Sequence, residues 1–214
     1  MTVETVTLQI AGTRLNGDLS VPDEAAGLVL FAHGSGSSRH SPRNQAVAAT
    51  LNDRGFATLL LDLLTPAEDR TDAVTREHRF DIPLLARRLT GAADWLAART
   101  TDLPIGLFGA STGAAAALIT AAENPETVKA VVSRGGRPDL ATSALADVRA
   151  PVLLLVGGRD DTVIKLNEEA AQQLTAPHEL RVIPGATHLF PEPGALEEVG
   201  DAAADWFTRM TQAG

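Results

Sequence analysis

Pro104-Ile105-Gly106-Leu107-Phe108-Gly109-Ala110-Ser111-Thr112-Gly113, running on into the alanine-rich Ala114 to Ala122, reads as a strand, a sharp turn and a helix in immediate succession. A serine at such a turn has its hydroxyl pushed out of the protein body, and glycines two residues to either side leave room that a Cβ would obstruct. The pentapeptide G-x-S-x-G therefore marks Ser111 as a candidate nucleophile. Its alternative is a turn serine that caps the helix beginning near Gly113. The rest of the chain decides between the two.

Outward from this turn, short apolar runs alternate with segments of helical spacing. Thr5 to Ile10 and Leu15 to Val21 alternate like half-buried strands around the turn Ala11-Gly12-Thr13, and predict an antiparallel edge. Leu28 to Ala32, Ala57 to Leu61, Ile105 to Phe108, Val128 to Val132, Val152 to Val156 and Glu179 to Ile183 are continuous runs, as in parallel strands covered on both faces. Helical spacing lies between them over Pro42 to Arg54, Ile82 to Arg99, Gly113 to Ala122 and Val163 to Leu174, with a final helix over Ala195 to Met210. The alternation predicts an α/β fold of eight strands, mostly parallel, with ligands bound outside the strands' carboxyl ends. No repeat, low-complexity block or long linker divides the 214 residues, so 1–214 is expected to form one domain.

Composition narrows the function. The net charge of −9 disfavours nonspecific binding to nucleic acid or to an anionic membrane, both of which need a basic surface. Aromatics make up 4% and tyrosine is missing, so base-stacking platforms are poorly supplied. A small molecule is the expected partner. Without cysteine there is no disulfide, thiolate metal site or thiol nucleophile. No apolar run has transmembrane length and the N-terminus lacks a secretory pattern, so the expected location is the cytoplasm.

A serine nucleophile needs a base, and the base needs an orienting acid. In this fold the chain order is Ser, acid, His. Gly157-Gly158-Arg159-Asp160-Asp161 follows the run ending at Val156, and Pro184-Gly185-Ala186-Thr187-His188 follows the run ending at Ile183. His188 is thus the expected base, although a histidine ahead of Leu189-Phe190 could also be a hydrogen-bonded residue at a helix start. Asp160 is the preferred acid over Asp161, which is better placed to begin the helix containing Val163. The backbone N–H of Thr112, at the positive end of its helix, is one expected oxyanion donor. The second falls to Ser35, with Gly34 as alternative, in the loop His33-Gly34-Ser35-Gly36-Ser37-Ser38. His33 is expected to support that loop by hydrogen bonding.

Taken together, these four segments resemble the α/β-hydrolase fold, and within it the dienelactone hydrolase-like family, over essentially the whole chain. The resemblance implies an eight-stranded sheet, a Ser111-His188-Asp160 triad, and an oxyanion hole from the amides of Thr112 and Ser35. His33 to Asn44, with Ser133-Arg134-Gly135-Gly136-Arg137-Pro138-Asp139, is also similar to a bacterial hydrolase group sometimes joined to a phosphoribosyltransferase-like domain, for which these 214 residues hold no counterpart. The chain departs from the family's cysteine nucleophile, and in this it resembles the small carboxylesterases of the superfamily. Only about 18 residues separate the run ending at Val132 from Pro151, too few for an inserted cap domain, which predicts a shallow, open site.

The resulting expectation is a serine esterase that cleaves a small carboxylic ester or lactone through an acyl-enzyme. A hydrolase-fold binding protein without turnover and an acyltransferase using the same triad are the alternatives. No cofactor is expected, and His40, His78 and His178 lack metal-ligand spacing. Arg134, Arg137 and Arg39, with Arg43, are candidates for a guanidinium fork on a substrate carboxylate; the competing reading is solvated arginines or salt bridges to residues such as Asp139. Asp62 is expected as a loop anchor.

Overall fold

The computed structural model describes residues 1–100 and 103–211. The alternating segments form a hairpin of β1 (Thr2–Ile10) and β2 (Thr13–Val21), paired antiparallel from Thr2 opposite Val21 to Ile10 opposite Thr13. Its two-residue turn places Ala11 and Gly12 at φ of 48° and 80°, the left-handed pair whose twist matches that of a hairpin.

Six parallel strands follow: β3 (Gly27–Ala32), β4 (Phe56–Leu61), β5 (Ile105–Ala110), β6 (Val128–Arg134), β7 (Val152–Gly157) and β8 (His178–Ile183). The sheet order is β1-β2-β4-β3-β5-β6-β7-β8, with β2 antiparallel to β4. Strands β3, β4, β5 and β7 are buried throughout, as their unbroken apolar runs require. β8 differs from its expectation. As an edge strand it leaves His178 and Val182 exposed and only Ile183 buried.

The helices are α1 (Pro42–Asp53), α2 (Pro66–Thr75), α3 (Ile82–Ala97), α4 (Thr112–Glu123), α5 (Asp161–Ala171) and α6 (Ala195–Thr211). One face of the sheet packs on α3 and α4 through Leu30, Leu59, Leu107, Leu89 and Ala115. The other packs on α1 and α6 through Phe31, Phe108, Leu51, Val199 and Phe207. α4 is buried almost all round, because its run of alanines lets it sit close to the sheet. β6 and β7 are joined by a 3-10 segment, Pro138–Asp147, broken at Thr142, and the connection carries no cap domain.

After β3 the chain crosses by α1 to β4 on one side, then returns by α2 and α3 to β5 on the other. The order therefore reverses between β3 and β5, and the crevice outside their carboxyl ends is where ligands bind in such sheets. The loops His33–Ser37 and Gly109–Gly113 both open into it. No described helix is long and apolar enough to cross a membrane.

Candidate active site

Ser111 sits between β5 and α4 with φ 51° and ψ −121°, a conformation that a non-glycine residue holds only when its surroundings impose it. They do so through the backbone. Ser111 N–H donates to the Arg134 carbonyl at 3.2 Å, while the Ser111 carbonyl accepts from Ala114 and Arg137 N–H at 3.1 and 3.0 Å. The flanking glycines are needed for close approach: a Cβ on Gly109 would lie 2.4 Å from Ala114 Cα, and one on Gly113 would lie 2.2 Å from the Ala32 carbonyl oxygen. Although Ser111 is the N-cap residue of α4, its side chain makes no capping hydrogen bond. The capping alternative therefore fails.

Asp160 and His188 are 28 positions apart in sequence, yet His188 Nδ1 lies 2.6 Å from Asp160 Oδ2. The loops after β7 and β8 are laced by backbone bonds, Gly158 N–H to the Ile183 carbonyl at 2.8 Å and Arg159 N–H to the Ala186 carbonyl at 2.9 Å. Asp160 is also an N-cap residue, of α5, whose side chain leaves the helix uncapped. Its carboxylate is committed to His188 instead, while Asp161 is exposed in the first turn. With Nδ1–H donated to the carboxylate, Nε2 of His188 is left as the acceptor.

The two expected oxyanion residues come together. Ser35 Oγ lies 3.1 Å from Thr112 Oγ1, and Gly34 packs so tightly that a Cβ there would lie 2.9 Å from Ser111 Cβ. Among the described residues, neither Ser35 N–H nor Thr112 N–H has a partner in the turn and loop hydrogen bonds. His33 supports the loop from beneath: Nε2 accepts from Leu63 N–H and Nδ1 donates to the Gly34 carbonyl, both at 2.9 Å. Burial pushes its pKa down and so favours the neutral ring, while the two hydrogen bonds fix that tautomer. Beside this corner lies a shallow recess lined by His33, Ser35, Leu64, Asp69, Arg79 and Thr112, with neither Ser111 nor His188 in its lining.

The arginines divide. Arg39 is not a free fork: its guanidinium pairs with Asp62 and faces Asp18 Oδ2 at 3.2 Å, and its N–H donates to Asp62 at 2.8 Å. Asp62 thus anchors the loop. Arg137 is clamped in two parallel bonds of 2.8 Å by Asp139, which holds its pKa above the usual value. Both correct the expectation of a substrate fork, since a carboxylate of the chain already occupies each guanidinium. Arg134 is 7% exposed and donates to Asn44 Oδ1 at 3.3 Å.

Glu192 is a residue of the His188 loop that sequence reasoning missed. Its carboxylate accepts from Thr187 N–H at 3.1 Å and Thr187 Oγ1 at 2.7 Å, fixing the residue before His188. These bonds lower its pKa, the Thr187 hydroxyl contributing most. The five-residue spacing across a proline follows no periodic pattern that would have singled it out. Among the described residues no group of three His, Asp or Glu could hold a metal ion.

A doubly covered sheet with a strained serine after β5 and an Asp-His pair after β7 and β8 defines an α/β-hydrolase fold. The dienelactone hydrolase family model matches residues 16–213, and the chain belongs to that family. It is 56% identical to a dienelactone hydrolase from Anabaena variabilis whose crystal structure superposes with a TM-score of 0.95, covering 97% of both chains. Two curated Mycobacterium tuberculosis proteins, provisionally named as phosphoribosyl transferases, are each 57% identical over 193 residues. That match takes in 89% of this chain but 43% of theirs, so the chain spans less than half the length of these relatives. Est1E from Butyrivibrio proteoclasticus shares the fold at 20% identity and a TM-score of 0.79, over 96% of this chain and 98% of its own.

Proposed function

We propose that this chain is a serine hydrolase that cleaves a small carboxylic ester or lactone through an acyl-enzyme on Ser111. The observation that carries the reading is the 2.6 Å contact between His188 and Asp160 in the loops beyond a serine held at positive φ. His188 Nε2 takes the Ser111 proton as Oγ attacks the carbonyl carbon, and Asp160 stabilises the resulting imidazolium. The carbonyl oxygen becomes an oxyanion that accepts from Thr112 and Ser35 N–H. As the intermediate collapses, His188 returns the proton to the leaving oxygen. Water, deprotonated by the same ring, then attacks the acyl-enzyme and frees Ser111.

A half-exposed His188 and a β6–β7 connection without a cap domain suit a short acyl group. The name of the mycobacterial relatives supplies no second reading of this site, because it is given to chains of which this one spans less than half.

The test is hydrolysis of short p-nitrophenyl esters by the wild type and Ser111→Ala, with mass spectrometry after a fluorophosphonate. Expected are turnover, a mass adduct on Ser111, and at least a 10³-fold fall in kcat for the variant. Equal turnover by the variant would remove Ser111 from the mechanism. An unlabelled, inactive wild type would favour a binding protein.

A further inference from the structure

Arg134 ends β6 on the sheet face shared with Ala130 and Val132, against α1 and α6. Its guanidinium lies 5.9 Å from the ring of Phe190, two residues beyond His188, and touches the first turn of α1 through Asn44. Burial, and after it the charge of Arg43 in that same turn, push the pKa of Arg134 down to about 10. Arg43 and the Asn44 that holds Arg134 both stand in the first turn of α1, so the two arginines share the positive end of a helix whose first turn carries no acidic residue.

The surroundings leave this charge unanswered. Nε and Nη1 of Arg134 and Nε of Arg43 are buried without any hydrogen-bond partner. Among the described residues the ion pairs engage Arg39, Arg54, Arg79, Arg88, Arg137 and Arg181, but neither Arg43 nor Arg134. Acidic residues are not scarce, with 27 Asp and Glu against 18 Lys and Arg. A buried like-charge pair with three orphaned donors is costly unless an anion joins it.

We propose that Arg43 and Arg134 form a binding site for a small oxyanion, a carboxylate or phosphate group, beneath the segment that carries His188. Donors from two guanidiniums match a group with at least two oxygens, one for each fork. Arg43 is half-buried, which gives the pair a route to solvent. The oxyanion either arrives free or is carried on a substrate, and the two sources are separable.

Thermal melts of the wild type, Arg43→Gln and Arg134→Met in sodium phosphate or sodium acetate, against sodium chloride at equal ionic strength, test the site. Phosphate or acetate is expected to raise the wild-type Tm by roughly 3–6 °C at a tenfold excess over Kd, and to do so far less in Arg43→Gln. Arg134→Met should lose the response too; should it fail to fold, Arg43→Gln decides alone. A wild type insensitive to both oxyanions, or a response of equal size in Arg43→Gln, overturns the site. These melts need no turnover, so they stand apart from failure of the hydrolase reading. The source follows from kinetics. Competition by phosphate against a carboxylate-bearing ester only, with KM for that ester raised at least tenfold in Arg43→Gln, assigns the group to the substrate; stabilisation without competition assigns a free anion.

Discussion

Ser111 pays for its exposed hydroxyl with a backbone conformation that glycine adopts freely, so function and stability oppose one another at one residue. Ser111→Gly should be inactive yet more stable by about 1 kcal/mol, as urea denaturation would measure. Gly113→Ala should cost about 3 kcal/mol in the same measurement, because its Cβ would meet the Ala32 carbonyl rather than a side chain that could turn away. Asp160→Asn preserves the shape of the site but no longer favours the Nδ1–H tautomer of His188, so kcat should fall by about 10⁴ with the fold intact. The positions of these residues were legible because each stands directly after an apolar run in a fixed chain order. The arginines were not. Which guanidinium finds a carboxylate depends on loop packing, and among the candidates Arg39, Arg43, Arg134 and Arg137 local sequence carries that only at Arg137, two residues from Asp139.

Among the elements, α2 shows what periodicity overlooks. It carries only one buried residue, Asp72, so no apolar stripe announces it. Its start is nevertheless written in Thr65-Pro66-Ala67-Glu68, a capping box with proline in the first turn. Glu68 does a second job, receiving both terminal nitrogens of the buried Arg88 at 2.8 and 2.7 Å, while Arg88 also donates to the Leu63 carbonyl at 2.7 Å. α2 is thereby tied to α3 and to the end of the segment below His33. Arg88→Ala should cost about 1.5–3 kcal/mol by stranding both partners. The hydrogen bonds from Arg88 hold the Glu68 pKa down at about 2 against an ordinary 4.5. A carboxylate depressed by folding stabilises above its unfolded pKa and loses that contribution as pH falls through the folded value. The stability gap between the wild type and Glu68→Gln should therefore be full at pH 7, shrink below pH 4.5 and nearly close at pH 2. A gap that stays constant from pH 7 to pH 2 would show that the ion pair contributes nothing through Glu68.

At the scale of the whole molecule, one sheet divides two cores, and the continuous apolar runs foretold this because residues alternate between faces along β3, β4, β5 and β7. β8 escaped the same reasoning, since Glu179 to Ile183 has the length of a covered strand but not the neighbour to cover it. The two tryptophans fall one to each face: Trp95 of α3 packs on the first core, and Trp206 of α6 lies in the second. Because both cores hang on the same strands, neither has a sheet of its own to retain when the other is lost. Phe207, fully buried and 6.3 Å from Phe56, is the place to apply the strain, and Phe207→Ala should cost about 3–5 kcal/mol. Urea unfolding followed by fluorescence in Trp95→Phe and Trp206→Phe proteins reads each face separately. The midpoints are expected to coincide within each background once the conservative replacement is corrected for, and to move down together when Phe207→Ala is added. If the Trp206 signal alone moves, the α1/α6 face unfolds independently of the other, and the chain does not behave as one cooperative unit.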